Sequence, residues 1–231
     1  MVGFTMYDFV HISWLIVISI FLCFLVYYYK NCSIVQKLRI QKAVFFGLLV
    51  LEISKQLFLL VTDQYSYWSP PLHLCGLGIF IIGWHAYFPN RTTTEILYSL
   101  TLPGALAALL IPGWTNEPLF SYIHFNSFIF HALLVGYVFM LLATTELQPR
   151  MKELWRSVLF LVITVPPTYY YNQTFGTNFM FINRPLKGSP LETFEQWFGN
   201  PGYLIGFIGL VFIVWVIMYI PFIGRKKRIS S

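Results

Sequence analysis

The sequence predicts an all-α, polytopic membrane helix bundle with seven transmembrane helices, its N-terminus outside and its C-terminus inside. Of the 231 residues, 57% are hydrophobic and only 10% are charged, and the mean hydropathy is +0.66. Soluble domains carry about 25% charged residues, so this composition is typical of an integral membrane protein. The distribution of the basic residues predicts the orientation, because cytoplasmic loops retain Lys and Arg.

Seven apolar runs are long enough to cross a bilayer, since a span needs about 20 apolar residues. They lie near 9–29, 43–62, 72–88, 94–112, 122–143, 155–172 and 203–223. Twelve of the fifteen basic residues follow the first, third, fifth and seventh runs, at 30–42, 91, 150–156 and 225–228. We therefore predict a single integral membrane domain over 1–231, in the cell membrane, with the loops 63–71, 113–121 and 173–202 facing outside.

Two local features interrupt this simple pattern. Pro166-Pro167 removes two backbone donors from the sixth run, which predicts a kink or a break in that helix. In the outer loop 173–202, Ser189 followed by Pro190 and Glu192 is typical of a helix start. A short interfacial helix is therefore expected near 190–198, on the outer membrane surface.

Aromatic side chains mark the predicted outer boundary of the bundle. Tyr65, Tyr67 and Trp68 lie in one outer loop, Trp114 lies in the next, and 169–171 is a run of three tyrosines. Aromatic rings with a polar group prefer the membrane–water interface, so these positions support the predicted span ends.

Two charged residues lie inside the second predicted span. A charge at a span centre costs roughly 2.5–3.5 kcal/mol, so such a side chain should face the bundle and be paired. Glu52 and Lys55 are three residues apart and can meet on one helical face. They are either a structural ion pair or one charged wall of a cavity.

Histidines gather at the predicted outer ends of the spans. His11, His73 and His124 lie at this depth, and His131 lies about two turns deeper on nearly the same face as His124. Neutral imidazole both donates and accepts hydrogen bonds, so these residues suit proton transfer or ligand orientation. Together with Cys75 they predict a polar pocket in the outer half of the bundle.

Cofactors, metals and nucleic acids are not predicted to take part. No His-Glu-x-x-His or Cys-x-x-Cys motif fixes a metal site, so no metal and no cofactor are expected. The net charge of +6 lies in short juxtamembrane segments. Membrane orientation and anionic headgroups explain that charge better than nucleic acid does, so membrane lipids are the expected partners.

Longer motifs carry a family resemblance across most of the chain. The chain resembles the YwaF family of small bacterial integral membrane proteins in the segments Pro70–Cys75, Gly104–Pro112, Phe130–Leu134 and Gly176–Pro185. This resemblance implies a seven-helix membrane topology. It implies no particular activity.

The chain is more distantly similar to a eukaryotic transmembrane family with acyltransferase activity on ether lysophospholipids. That similarity implies a Cys nucleophile and a His in neighbouring helices, and the His falls on His131. The family's Cys stands before a His in a Pro-Cys-His pattern, whereas this chain has Pro71-Leu72-His73. Leu72 therefore occupies the nucleophile position, and Cys75 lies one helical turn away.

Three functions remain open at this stage. In the first, an acyltransferase acts on membrane lipids, with Cys75 as nucleophile and His131 or His73 as general base. In the second, a non-enzymatic pocket binds or transports a small polar solute. Its predicted lining is Glu52, Lys55, Asn172, Asn178 and Arg184. In the third, the chain is an accessory subunit of a membrane assembly, because its small residues permit close helix approach.

Overall fold

A computed structural model describes residues 3–222, and every regular element in that range is helical. The basic cluster Arg225–Arg228, on which part of the predicted orientation rests, lies outside the described residues. The helices are α1 (Phe9–Lys30), α2 (Ile34–Val61), α3 (Leu74–Tyr87), α4 (Arg91–Ile96), α5 (Leu102–Leu110), α6 (Tyr122–Ala143), α7 (Trp155–Phe175), α8 (Pro190–Phe198) and α9 (Tyr203–Tyr219). A π-helical turn, Leu97–Thr101, joins α4 to α5, so these three segments form one continuous helix.

Five helical segments are long and apolar enough to cross a membrane. They are Phe9–Lys30, Ile34–Val61, Arg91–Leu110, Tyr122–Ala143 and Tyr203–Phe222. Helix α3 is apolar but has only 14 residues, and α7 is not among the five although it has 21 residues. The all-helical membrane character is therefore confirmed, whereas seven spans and their orientation stay predictions.

The first predicted inner loop is shorter than the sequence suggested. Helix α2 begins at Ile34, because Ser33 and Gln36 form a capping box that satisfies backbone N–H groups at its start. The basic residues of 30–42 therefore lie mostly on the helix. Lys37 pairs with Glu146 at 3.3 Å.

Helix α7 runs without interruption through Pro166 and Pro167, so the predicted break is absent. The proline ring fixes φ near −65°, which is compatible with a helix, although each proline lacks its own N–H donor. The chain instead leaves the helix at Gly176, whose φ of 66° is in the left-handed region.

Helix α6 forms the centre of the bundle and contacts α1, α2, α3 and α5. Its side chains Phe128, Leu134 and Tyr137 are fully buried. Gly136 lets α1 approach closely, because a Cβ atom at this position would lie only 2.8 Å from a methyl group of Leu25. This packing places the first half of α6 beside the segment between α5 and α6, where the candidate site lies.

Candidate functional site

His131 in α6 has one ring nitrogen fixed and the other free. Its Nδ1 lies 2.7 Å from the backbone carbonyl oxygen of Ser127, one turn earlier. A carbonyl only accepts hydrogen bonds, so Nδ1 carries the proton and Nε2 presents a lone pair. Within residues 3–222, Nε2 has no hydrogen-bond partner. The imidazole is therefore oriented as a proton acceptor.

Trp114 brings an unpartnered donor to the ring that stacks on this imidazole. Its ring stacks on His131, with the ring centroids 5.0 Å apart and the planes at 11°. The buried indole Nε1–H has no hydrogen-bond partner among the described residues. Sequence reasoning placed Trp114 at the membrane boundary and missed its contact with His131. No local motif signals this contact, because the two residues lie in different elements.

His73 and Lys55 lie within electrostatic range of His131, and no hydrogen bond joins either of them to it in the described structure. His73 immediately precedes α3, and its Nδ1 accepts the backbone N–H of Met180 at 3.3 Å. A neutral imidazole with an accepting Nδ1 carries its proton on Nε2. His73 is therefore arranged as a donor, whereas His131 is arranged as an acceptor.

Glu52 forms the ion pair with Lys55 at 2.8 Å, as their spacing allows. The other carboxylate oxygen of Glu52 accepts a hydrogen bond from the side chain of Gln56, which also donates to the carbonyl oxygen of Ser69 at 2.7 Å. Glu52 thus links α2 to the loop before α3. Its negative charge is neutralised within this network.

Cys75 lies in the first turn of α3 and packs toward α5. Its sulfur lies 3.9 Å from the position that a Cβ atom would occupy on Gly104. No hydrogen bond joins the thiol to His73 or His131 in the described structure. The predicted nucleophile is therefore close to His73 in the chain, but its side chain faces α5.

Three predicted binding residues, Asn172, Asn178 and Arg184, make their contacts in and around the outer loop and not with His131. The Asn172 side chain accepts from the hydroxyl of Thr177 at 2.8 Å and from the N–H of Phe179 at 2.9 Å, and it donates to the carbonyl of Phe179 at 3.0 Å. Asn178 Oδ1 accepts the N–H of Arg184 at 3.1 Å, and the Arg184 guanidinium lies over the ring of Trp68. No described contact joins these three residues to His131.

The remaining outer histidines serve packing. His11 uses both ring nitrogens, one accepting from the N–H of Tyr7 and the other contacting the carbonyl of Leu109 at 2.8 Å. His124 accepts from the indole of Trp14 at 2.9 Å. Across residues 3–222, no group of three or more His, Cys, Asp or Glu side chains is placed to hold a metal ion.

Comparison with known proteins identifies the family. The model of the TMEM164 family matches residues 6–219, which is most of the chain, so the chain belongs to the TMEM164 family. The match supports a membrane protein, and nothing in it points to the YwaF family in particular. No curated protein and no solved structure is similar enough to this chain to be matched.

Proposed function

We propose that this member of the TMEM164 family is a membrane-embedded acyltransferase acting on membrane lipids, with His131 as general base and Cys75 as nucleophile. One observation carries the proposal: the imidazole of His131, whose Nε2 is unpartnered, stacks on the indole of Trp114, whose buried N–H is also unpartnered. Acyl transfer requires a base for the attacking group and a donor for the oxyanion that develops on the carbonyl. These two adjoining groups meet both requirements.

The proposed reaction has two steps. His131 Nε2 takes the thiol proton of Cys75, and the sulfur forms a bond to the ester carbonyl carbon of a donor lipid. The ester C–O bond breaks, and the imidazolium returns the proton to the departing oxygen. In the second step the same base deprotonates the hydroxyl of an acceptor lipid, and the oxygen forms a bond to the thioester carbonyl carbon. The C–S bond breaks, and the imidazolium returns the proton to the departing sulfur. The Trp114 N–H donates to the oxyanion in both steps.

Positive charge near the two imidazoles supports this assignment. Lys55 interacts electrostatically with both imidazoles and belongs to the helix that packs against α3. Once the Cys75 side chain lies next to His131, this cation raises its thiolate fraction and strengthens it as a nucleophile. The proposal requires the Cys75 side chain to move from its contact with Gly104 toward His131 when substrate binds. Catalytic hydrogen bonds commonly tighten in this way only in the substrate complex.

The test uses the purified full chain in liposomes containing a labelled phospholipid and an unlabelled lysophospholipid. In His131→Asn the new amide reproduces the Nδ1–H donor to Ser127 but removes the Nε2 acceptor, so label transfer should fall about 100-fold or more. Cys75→Ala should abolish transfer and also the acyl adduct that mass spectrometry detects on the wild-type chain. Cys23→Ser, which changes an exposed cysteine in α1, is the matched control and should retain full activity. Full activity in Cys75→Ala would remove the thiol from the mechanism.

The alternative is non-enzymatic binding of a small polar solute at the same groups. The absence of a described hydrogen bond between Cys75 and either imidazole favours it, because binding needs no nucleophile. A solute that binds wild type and Cys75→Ala equally, without any transfer of label, would support this alternative.

We further propose seven spans in the cell membrane with the N-terminus outside. The helices α3 and α7 lie at the predicted third and sixth spans, which supports the full count. Cysteines introduced singly at Glu117 and Lys152 test it in a chain whose native cysteines are replaced. A membrane-impermeant thiol reagent added to intact cells should label position 117 and spare position 152. The reverse pattern would invert the orientation.

A further inference from the structure

A polar cavity of about 390 Å³ opens at the end of the bundle opposite His131. It lies where α3 ends, α4 begins and the segment after α6 passes, at the end predicted to face the cytoplasm. Its polar lining includes His85, Asn90, Arg91, Thr94, Glu146 and Gln148. This volume falls within the usual range of about 300–1,000 Å³ for small-molecule sites.

His85 is the most deeply buried polar group of the cavity, and its hydrogen bonds fix its tautomer. Its side chain is 3% exposed, and its Nδ1 lies 2.9 Å from the hydroxyl of Thr93. That hydroxyl donates its single hydrogen to the carbonyl of Asn90 at 3.0 Å, so it must accept from His85. Nδ1 therefore carries the proton. Nε2 is left as an acceptor with no partner among the described residues.

Glu146 does not supply free negative charge to the cavity. One of its oxygens accepts from the hydroxyl of Tyr29 at 2.8 Å and from the amide of Gln41 at 3.0 Å. The other lies 3.3 Å from the ammonium of Lys37. Both oxygens of the carboxylate therefore have partners, and Lys37 neutralises its charge.

Arg91 is the cation that remains available at the rim. It donates one hydrogen bond, from Nη1 to the carbonyl oxygen of Gln148 at 2.8 Å. None of the ion pairs formed within residues 3–222 includes it. A guanidinium has five N–H donors in a planar fork, so most of the donors of Arg91 are free to bind an anion.

A second unpartnered polar group lies next to His85. The Tyr137 side chain is fully buried, its hydroxyl has no hydrogen-bond partner in the described part of the chain, and its ring meets that of His85 edge-on at 6.1 Å. Buried polar atoms are normally satisfied. Tyr137 packs behind His85 and does not line the cavity, so the buried polar group that the cavity presents to a ligand is the unpartnered Nε2 of His85.

We infer that this cavity binds a phosphate ester that also carries a free hydroxyl group. The guanidinium of Arg91 binds the phosphate, since planar N–H pairs match phosphate oxygens bidentately. Nε2 of His85 accepts a hydrogen bond from the ligand hydroxyl. The ligand is either a soluble phosphate ester or the glycerol-phosphate headgroup of an anionic lipid, because basic pockets between membrane helices bind such headgroups. This inference does not depend on the proposed acyl transfer.

The test measures thermal stabilisation of the purified full chain in two arms. In detergent, the probes are glycerol 3-phosphate and inorganic phosphate. In nanodiscs, the probe is phosphatidylglycerol at increasing fractions in phosphatidylcholine. Arg91→Gln keeps a donor near Gln148 but removes the charge, and Arg91→Lys keeps the charge. Arg150→Gln is the matched control, because it removes one positive charge at the same end outside the cavity lining.

The inference predicts saturable stabilisation that Arg91→Gln weakens by about tenfold or more in apparent affinity, while Arg150→Gln changes it less than twofold. Arg91→Lys should retain part of the binding, which separates lost charge from misfolding. Dependence on Arg91 in the glycerol 3-phosphate arm identifies a soluble ester, and dependence only in the lipid arm identifies a headgroup. Equal weakening by the Arg91 and Arg150 substitutions, or no stabilisation in either arm, overturns the site.

The hydroxyl contact is tested separately with His85→Asn, whose amide reproduces the Nδ1–H donor to Thr93 and lacks the Nε2 acceptor. In the soluble arm, affinity for glycerol 3-phosphate should fall about fivefold, whereas affinity for inorganic phosphate should not change. In the lipid arm, this variant should weaken the response to phosphatidylglycerol by a similar factor. Unchanged affinity for both hydroxyl-bearing probes would overturn the role assigned to His85.

Discussion

Replacing Asn172 with Ala should destabilise the outer loop more than any nearby surface substitution. The Asn172 side chain is fully buried at the end of α7, and it makes three hydrogen bonds to the segment that follows. Two of them satisfy the N–H and the carbonyl of Phe179, and the third satisfies the hydroxyl of Thr177. Alanine removes all three, and the groups left behind are themselves buried.

The expected magnitude follows from these unsatisfied groups. A buried polar group that loses its partner costs about 1–3 kcal/mol. The Thr177 hydroxyl can rotate toward another acceptor, and such costs are not additive. We therefore expect a total loss of about 3 kcal/mol for Asn172→Ala. For a chain of this size this loss corresponds to a fall of about 6–12 °C in the unfolding midpoint.

The assay is thermal unfolding of the purified chain in mild detergent, with Gln173→Ala as the control. Gln173 is the next residue, is exposed, and makes one side-chain hydrogen bond at 3.2 Å, so its replacement should cost no more than about 0.5 kcal/mol. The loop also supplies the N–H that His73 accepts, so Asn172→Ala should speed modification of His73 by a histidine reagent. Equal midpoints for the two variants would refute the assignment of Asn172 as the anchor of this loop.

Two further predictions concern other polar contacts. The Tyr219 hydroxyl donates to the buried carboxylate of Glu95 at 2.6 Å, so Tyr219→Phe should cost about 1.5–3 kcal/mol in thermal unfolding. Tyr98→Phe, which loses a hydrogen bond to a backbone carbonyl, should cost less, and the opposite ranking would contradict the carboxyl group of Glu95 as the stronger acceptor. At α1, the backbone N–H of His11 is the main contact that lowers the pKa of Asp8. A lowered pKa stabilises the fold above the ordinary Asp range, and this contribution is lost as the pH falls through the folded pKa. The unfolding midpoint of wild type should therefore drop more than that of Asp8→Asn between about pH 6 and pH 3. An equal drop in the two midpoints would exclude stabilisation of α1 by a charged Asp8.

The sequence by itself determined the helical membrane architecture and several local contacts. Hydrocarbon forces every backbone group to be satisfied within its own segment, so an apolar run of about 20 residues predicts a helix without any knowledge of its neighbours. The pairing of Glu52 with Lys55 follows in the same way from a three-residue spacing on one helix. The second span is predicted to begin near 43, whereas α2 begins at Ile34. The capping box formed by Ser33 and Gln36 starts the helix within the polar, basic stretch that precedes the apolar run.

Only the tertiary structure decided which polar atoms are free. The hydrogen bond between Met180 and His73 joins residues 107 positions apart, and the stacking of Trp114 on His131 joins two separate elements. Residue type fixes how many hydrogen bonds an imidazole or an indole can make, but the partners come from whichever helices pack beside it. For that reason the sequence predicts which histidines are candidates, but not their roles. The fold makes His131 an acceptor and His73 a donor, and it places His11 and His124 in packing contacts.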